Sequence, residues 1–88
     1  MPAHYQLRII TLEKVAFDGE VESVIAPGTE GSLGIWAHHA PLITALASGK
    51  LMYRRTDGQE VHGSVQRGFL EVHRNVVTIL ADGFEVTT

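Results

Sequence analysis

The sequence predicts an all-β fold, a sandwich or barrel of short antiparallel strands, and three observations carry that prediction. Apolar and polar residues alternate with a period of two in one segment after another, beginning with Tyr5, Leu7 and Ile9 against Gln6 and Arg8, the pattern of a strand with one buried face. Asp-Gly stands between apolar-polar runs at 18–19 and at 57–58; there it is a strong hairpin signal because a type I′ turn needs φ > 0 at both central residues. No stretch carries an amphipathic helical period over the roughly 12 residues that a stable helix needs.

Taken in order, Tyr5, Leu7 and Ile9 define the first strand, and residues 11–14 are too short and polar for a helix, so they read as a link. Val15-Ala16-Phe17 is expected to fold back through an Asp18-Gly19 turn onto the Val21–Ala26 run, which Pro27-Gly28 ends because proline offers no N–H to a continuing ladder. Leu33-Gly34-Ile35-Trp36 reads as a short strand, with Gly34 allowing a bulge or a close backbone approach. Pro41 biases Ala40 toward extended geometry, and Leu42–Ala47 follows as a strand. Ser48-Gly49 turns into Leu51 and Tyr53 alternating with Met52 and Arg54; Asp57-Gly58 turns into Val61, Gly63 and Val65. Gly68 is expected to open a further strand with Leu70 and Val72 inward, and Arg74-Asn75 to turn it into Val76–Ala81. That final run is apolar on both faces and should be central or covered on both sides.

Composition sets the outer bounds. A chain of 88 residues makes one small domain, which buries only somewhat over ~60% of the surface its unfolded chain exposes. With 44% hydrophobic residues it is an ordinary globular chain. A net charge of −3, with scattered basic residues, gives no electrostatic reason to bind nucleic acid. The absence of cysteine rules out disulfides. The N-terminal segment lacks a long apolar run behind basic residues, so neither a signal peptide nor a membrane span is expected.

The segment from Gly28 to Leu46 gathers glycines, a proline, a histidine pair and the single tryptophan between these strands. It reads as a functional loop presented by a rigid frame. Gly28-Thr29-Glu30-Gly31 could cradle a phosphate, but Glu30 repels one and no Lys or paired Ser/Thr follows. A turn whose glycines supply positive φ is the simpler use. His38 and His39 could ligate a metal, yet neighbours on an extended chain point to opposite faces. No catalytic serine elbow exists, and His4, His62 and His73 alternate with apolar residues and should face solvent. A Ser-His-Asp set remains possible in space. Neither a catalytic residue nor a metal ligand is assigned.

Several motifs together resemble a known family. Val21-Glu22-Ser23-Val24, Pro27-Gly28-Thr29-Glu30-Gly31-Ser32-Leu33-Gly34-Ile35, His39-Ala40-Pro41-Leu42-Ile43-Thr44-Ala45-Leu46, Gly68-Phe69-Leu70-Glu71-Val72 and Val76-Val77-Thr78-Ile79-Leu80-Ala81-Asp82 run in the order of the N-terminal domain of the epsilon subunit of F-type ATP synthase. The delta subunit of the mitochondrial enzyme corresponds to it. The resemblance implies a small flattened antiparallel β-sandwich in the central stalk of the rotor, beside the gamma subunit and resting on the c-ring, without catalysis or cofactor of its own. It places the ring-facing loop at Glu30, Gly31, Ser32 and Leu33, and gamma contacts at His39 and Thr44. Many members carry an acid where this chain has Ser32, and Pro-Gly where it has Ala37-His38.

Members commonly continue into a C-terminal helical hairpin that can bind ATP and inhibit hydrolysis. Nothing helical follows Phe84-Glu85-Val86 here, so neither ATP binding nor that inhibition is expected. The implied location is peripheral, on the cytoplasmic face of a bacterial inner membrane or on an organelle energy-coupling membrane, without lipid insertion. The readings from other classes are a stand-alone ligand- or glycan-binding sandwich, with a pocket lined by Trp36, Tyr53 or Phe84, and a minor hydrolase using His38 or His39.

Overall fold

The computed structural model describes residues 3–87. Its elements are β1 (Tyr5–Thr11), β2 (Val15–Gly28), β3 (Gly31–Trp36), β4 (Leu42–Leu46), β5 (Gly49–Arg55), β6 (Glu60–His73) and β7 (Val76–Val86), with no helix among the described residues. The pairings close a circuit from β1 to β2, β5, β6, β7 and back to β1. β3 extends the circuit from β2, and β4 from β6. The β1–β7 pairing is parallel and all others are antiparallel.

The circuit is flattened into a sandwich of 34 × 28 × 23 Å. One wall holds the C-terminal half of β2 with β3, β5, the start of β6 and the end of β7; the other holds β1, β4 and the opposite halves of β2, β6 and β7. Between them lies one cluster that includes Leu7, Ile9, Val24, Ile35, Leu51, Leu70 and Ile79. As the alternation predicts, Tyr5, Leu7 and Ile9 are buried, while His4, His62 and His73 are exposed.

The Asp18-Gly19 turn is not formed. β2 runs unbroken through both residues, which pair with Arg8 and Leu7, and neither has a left-handed φ. The chain reverses earlier, where Thr11 N–H donates to Lys14 O at 2.9 Å and Thr11 Oγ1 accepts from the N–H groups of Glu13 and Lys14 at 3.4 and 3.3 Å. A hairpin at Asp18 would have had a short arm. The register adopted sets Tyr5, Leu7 and Ile9 against Val21, Gly19 and Phe17, so long-range burial overrides a local turn preference. Gly19 leaves room for the Phe17 ring, whose centroid is 4.4 Å from that of Tyr53.

Gly68 does not open a strand either; it lies inside β6, where the β6–β7 ribbon crosses from one wall to the other. The ribbon's register never slips, yet the buried residues change parity, from Val65 to Leu70 on β6 and from Ala81 to Phe84 on β7. The chain accommodates this by coiling, with Arg67 and Asp82 facing out at the crossing, Nε to Oδ2 3.4 Å apart. β7 is central, as its composition predicts, but only one of its faces is covered: Leu80 is 52% exposed.

The remaining turns follow their chemistry. At Asp57-Gly58 only Gly58 has positive φ, 87°, so the β5–β6 loop is longer than the expected two-residue type, closed by Arg55 N–H donating to Gln59 O at 2.8 Å. Arg74 and Asn75, with φ of 50° and 61°, form the tight two-residue turn. Arg54 and Glu60 sit opposite one another beyond the β5–β6 loop at 2.6 Å, and hydrogen bonding from Arg54 holds the Glu60 carboxyl below the usual carboxylate range.

Tyr5 ties the walls together, its hydroxyl donating to Ile35 O at 2.8 Å. Burial pushes its pKa well above that of a free tyrosine, partly offset by a hydrogen bond with the Val24 backbone. An unfolded tyrosine ionises near pH ~10, so the stability from neutral Tyr5 is complete below that pH and is lost as pH rises through the higher folded value. Tyr5→Phe should therefore cost about 1 kcal/mol at neutral pH. Urea midpoints at increasing pH should also show a shallower alkaline decline above pH ~10 in the variant.

Candidate functional site

The Gly28–Leu46 segment is mostly regular strand. β2 and β3 form a hairpin whose tip is Thr29-Glu30, with Gly28 opposite Gly31. Gly31 has φ 123°, which a side-chain-bearing residue would adopt only under strain. The tip is tied to the end of β4 by Thr29 N–H donating to Ala45 O at 3.2 Å and Ala47 N–H donating to Pro27 O at 2.8 Å. The glycines thus serve a turn rather than a phosphate cradle.

Glu30, Gly31 and Ser32 come together, exposed, at this extremity. Glu30 forms no ion pair among the described residues. Leu33 differs: it pairs with buried Ala26 and packs against the core. The proposed ring-facing set therefore divides into an exposed polar tip and an apolar anchor beneath it.

His39 and Thr44 are not neighbours of the tip or of each other. His39 is exposed on the β3–β4 corner, at the end of β4 away from the hairpin tip, its Nδ1 2.7 Å from Ala40 O. Thr44 is half-buried on β4 opposite Leu70, on the side that faces the core. His38 has φ 63° and donates its N–H to Asn75 Oδ1 at 2.8 Å. The two histidines do not converge, no group of three His, Cys, Asp or Glu side chains gathers among the described residues, and no carboxylate pairs with His38 or His39 there. The aromatic pocket of the ligand-binding reading is not assembled. Tyr53 and Phe84 are in the core, and Trp36 lies exposed across Gly34, where an added Cβ would meet its ring at 2.5 Å.

A second surface is absent from the sequence reading. On the outer face of the β1-β7-β6-β4 wall, Ile10, Leu80, Phe69 and Ala45 stand in one row, each paired with the next across the strands. Phe69 and Leu80 are 60% and 52% exposed, and Ile43 and Leu12 beside the row 72% and 83%. The row and Leu12 line a shallow groove of ≈ 600 Å³ that ends at Arg67 and Asp82. Contiguous apolar exposure of this kind marks an interaction surface. The sequence signal was the run Val76–Ala81, apolar on both faces.

A family model described as "ATP synthase, Delta/Epsilon chain, beta-sandwich domain" matches residues 4–87. The chain is 47% identical over 83 residues to an ATP synthase epsilon chain of Moorella thermoacetica, covering 94% of this chain and 62% of that protein. In structure it is similar to a chain of the Euglena gracilis mitochondrial ATP synthase (OSCP, F1 and c-ring), with TM-score 0.90, 23% identity, and coverage of 98% of this chain and 55% of that one. A chain of the Tetrahymena thermophila mitochondrial ATP synthase central stalk and c-ring gives TM-score 0.77 at 23% identity, covering 91% and 64%. The structural likenesses speak for the fold. This chain spans less than two thirds of each of these relatives. With the motifs in order, the sandwich formed and the family model matched from end to end, the chain belongs to the family of the delta/epsilon chain β-sandwich domain of ATP synthase.

Proposed function

We propose that this domain is a non-catalytic central-stalk component of an F-type ATP synthase, docking the gamma subunit onto the c-ring so that the two turn as one body. The observation that carries the reading is the pairing of an exposed apolar face with a projecting polar hairpin tip on one rigid sandwich, in a chain of this family. A body packed to crystal-like density transmits force with little deformation. The Ile10-Leu80-Phe69-Ala45 row is the gamma-facing surface, with His39 at one end of the same wall and Thr44 behind it. Glu30, Gly31 and Ser32 meet the polar loops of the ring, supported from beneath by Leu33. A part held by two partners at once needs neither contact to be large. The domain is peripheral to the membrane, on the cytoplasmic face if the host is bacterial.

Ser32 in the place of the usual acid means that hydrogen bonding and fit, rather than an ion pair at that position, serve the ring contact, with Glu30 as the available charge. Ser32→Trp should lower ATP-driven proton pumping in inverted vesicles several-fold while leaving ATP hydrolysis by the detached head, and the unfolding midpoint of the domain, unchanged. Normal pumping with this variant would count decisively against the reading. Deleting 28–34 is a poorer test, because it removes most of β3 as well as the tip.

A further inference from the structure

Among the described residues, three non-glycine residues hold left-handed backbone: His38 at φ 63°, Arg74 at 50° and Asn75 at 61°. Asn75 links the two turns in which they lie, and a third segment as well. Its Oδ1 accepts the His38 N–H at 2.8 Å, its Nδ2 donates to His4 O at 3.1 Å, and its own carbonyl accepts the Gln6 N–H at 3.3 Å. A carboxamide is the side chain that can accept on one side and donate on the other, and asparagine also tolerates the left-handed region. The β3–β4 corner has no internal partner for the His38 N–H; its anchor comes from a turn 37 residues away in sequence.

We propose that Asn75 is the positioning residue for gamma docking: from the β6–β7 turn it holds the β3–β4 corner in the conformation that presents His39 to the partner. The proposal rests on the gamma-docking reading above and adds a residue that touches no partner itself. His38 takes up a backbone conformation that a residue with a side chain adopts at a cost. The Asn75 bond holds it there. His39, next in the chain, inherits its direction from that bend. Released from Asn75, His38 returns to the extended region, and His39 swings away from the wall that carries Phe69 and Leu80.

The test separates the side chain from the backbone. Asn75→Gly keeps the left-handed turn, since glycine adopts it without strain, and removes both side-chain bonds. Asn75→Asp keeps the acceptor for His38 and sets a carboxylate oxygen in place of the amide that donates to His4 O. With the full chain and an immobilised gamma subunit from the same genome, Asn75→Gly should bind about tenfold more weakly, the worth of roughly one well-formed hydrogen bond. Asn75→Asp should stay within about threefold of the parent. Hydrogen exchange at the His38 amide should accelerate in Asn75→Gly alone, with the β6 and β7 core amides still protected. Unchanged gamma binding by Asn75→Gly, or equal weakening by Gly and Asp, would overturn the positioning role while leaving gamma docking standing. Failure of the parent chain to bind gamma would overturn the docking reading and this role with it.

Discussion

Gly68→Ala is expected to unfold this domain or come close to it. A Cβ at Gly68 would lie 1.9 Å from Leu80 O and 2.7 Å from the Ala81 Cα, and both obstacles are backbone, so no side-chain rotation makes room. The clash falls where the β6–β7 ribbon passes between the walls, and those two strands run through the middle of the sheet. Separating them would break the ladder on both sides of the crossing. Overpacking of this severity costs upwards of about 3 kcal/mol, against a total stability of roughly 4–13 kcal/mol for a domain of this size. Gly58→Ala is the control. Gly58 also lies in a special place, with φ 87°, but an added Cβ there meets nothing within 4 Å, so it should cost only about 1 kcal/mol. Urea unfolding of the two variants should differ by at least about 2 kcal/mol; similar midpoints would mean that the ribbon can recoil to admit a methyl group.

Leu80→Glu should abolish gamma capture with little effect on the fold. Leu80 stands between Ile10 and Phe69 in the apolar row and is half exposed, so the free domain keeps the new carboxylate in water. Docked against a partner, the same carboxylate would be stripped of water among apolar side chains, a penalty of several kcal/mol. Binding should fall by about a hundredfold or more. Phe69→Ala, which removes contact area without adding charge, should weaken capture by about 2 kcal/mol, in the range of an interface hot spot. The unfolding midpoint of Leu80→Glu should shift by less than about 1 kcal/mol, as expected for a half-exposed position. Gamma binding by both variants at parental strength would move the docking surface to another face.

Much of the architecture was legible in the residues. The alternation of Tyr5, Leu7 and Ile9 identified their buried faces because an extended chain sends successive side chains to opposite sides. Arg74-Asn75 showed its turn because left-handed backbone is a local preference that needs no distant partner. Asp18-Gly19 carried an equally local signal and was overridden. Whether a turn-competent pair turns depends on which long strand bids for its backbone, and β1 offered a longer ladder than a hairpin would have. The candidate site divided in the same way. Glu30, Gly31 and Ser32 form one exposed tip because they are neighbours in sequence, whereas the row from Ile10 to Ala45 draws on four strands far apart in the chain.

By itself, then, the sequence determined the all-β class, most strand faces and the family, because these follow from local periodicity and from motifs read in order. The tertiary structure alone decided that β2 runs through its glycine, that β6 and β7 cross between the walls at Gly68, and that Leu80 and Phe69 stand uncovered. Each of those outcomes is set by register between distant strands. Register is fixed by the total area that all seven strands bury together, a quantity no single segment of the chain contains.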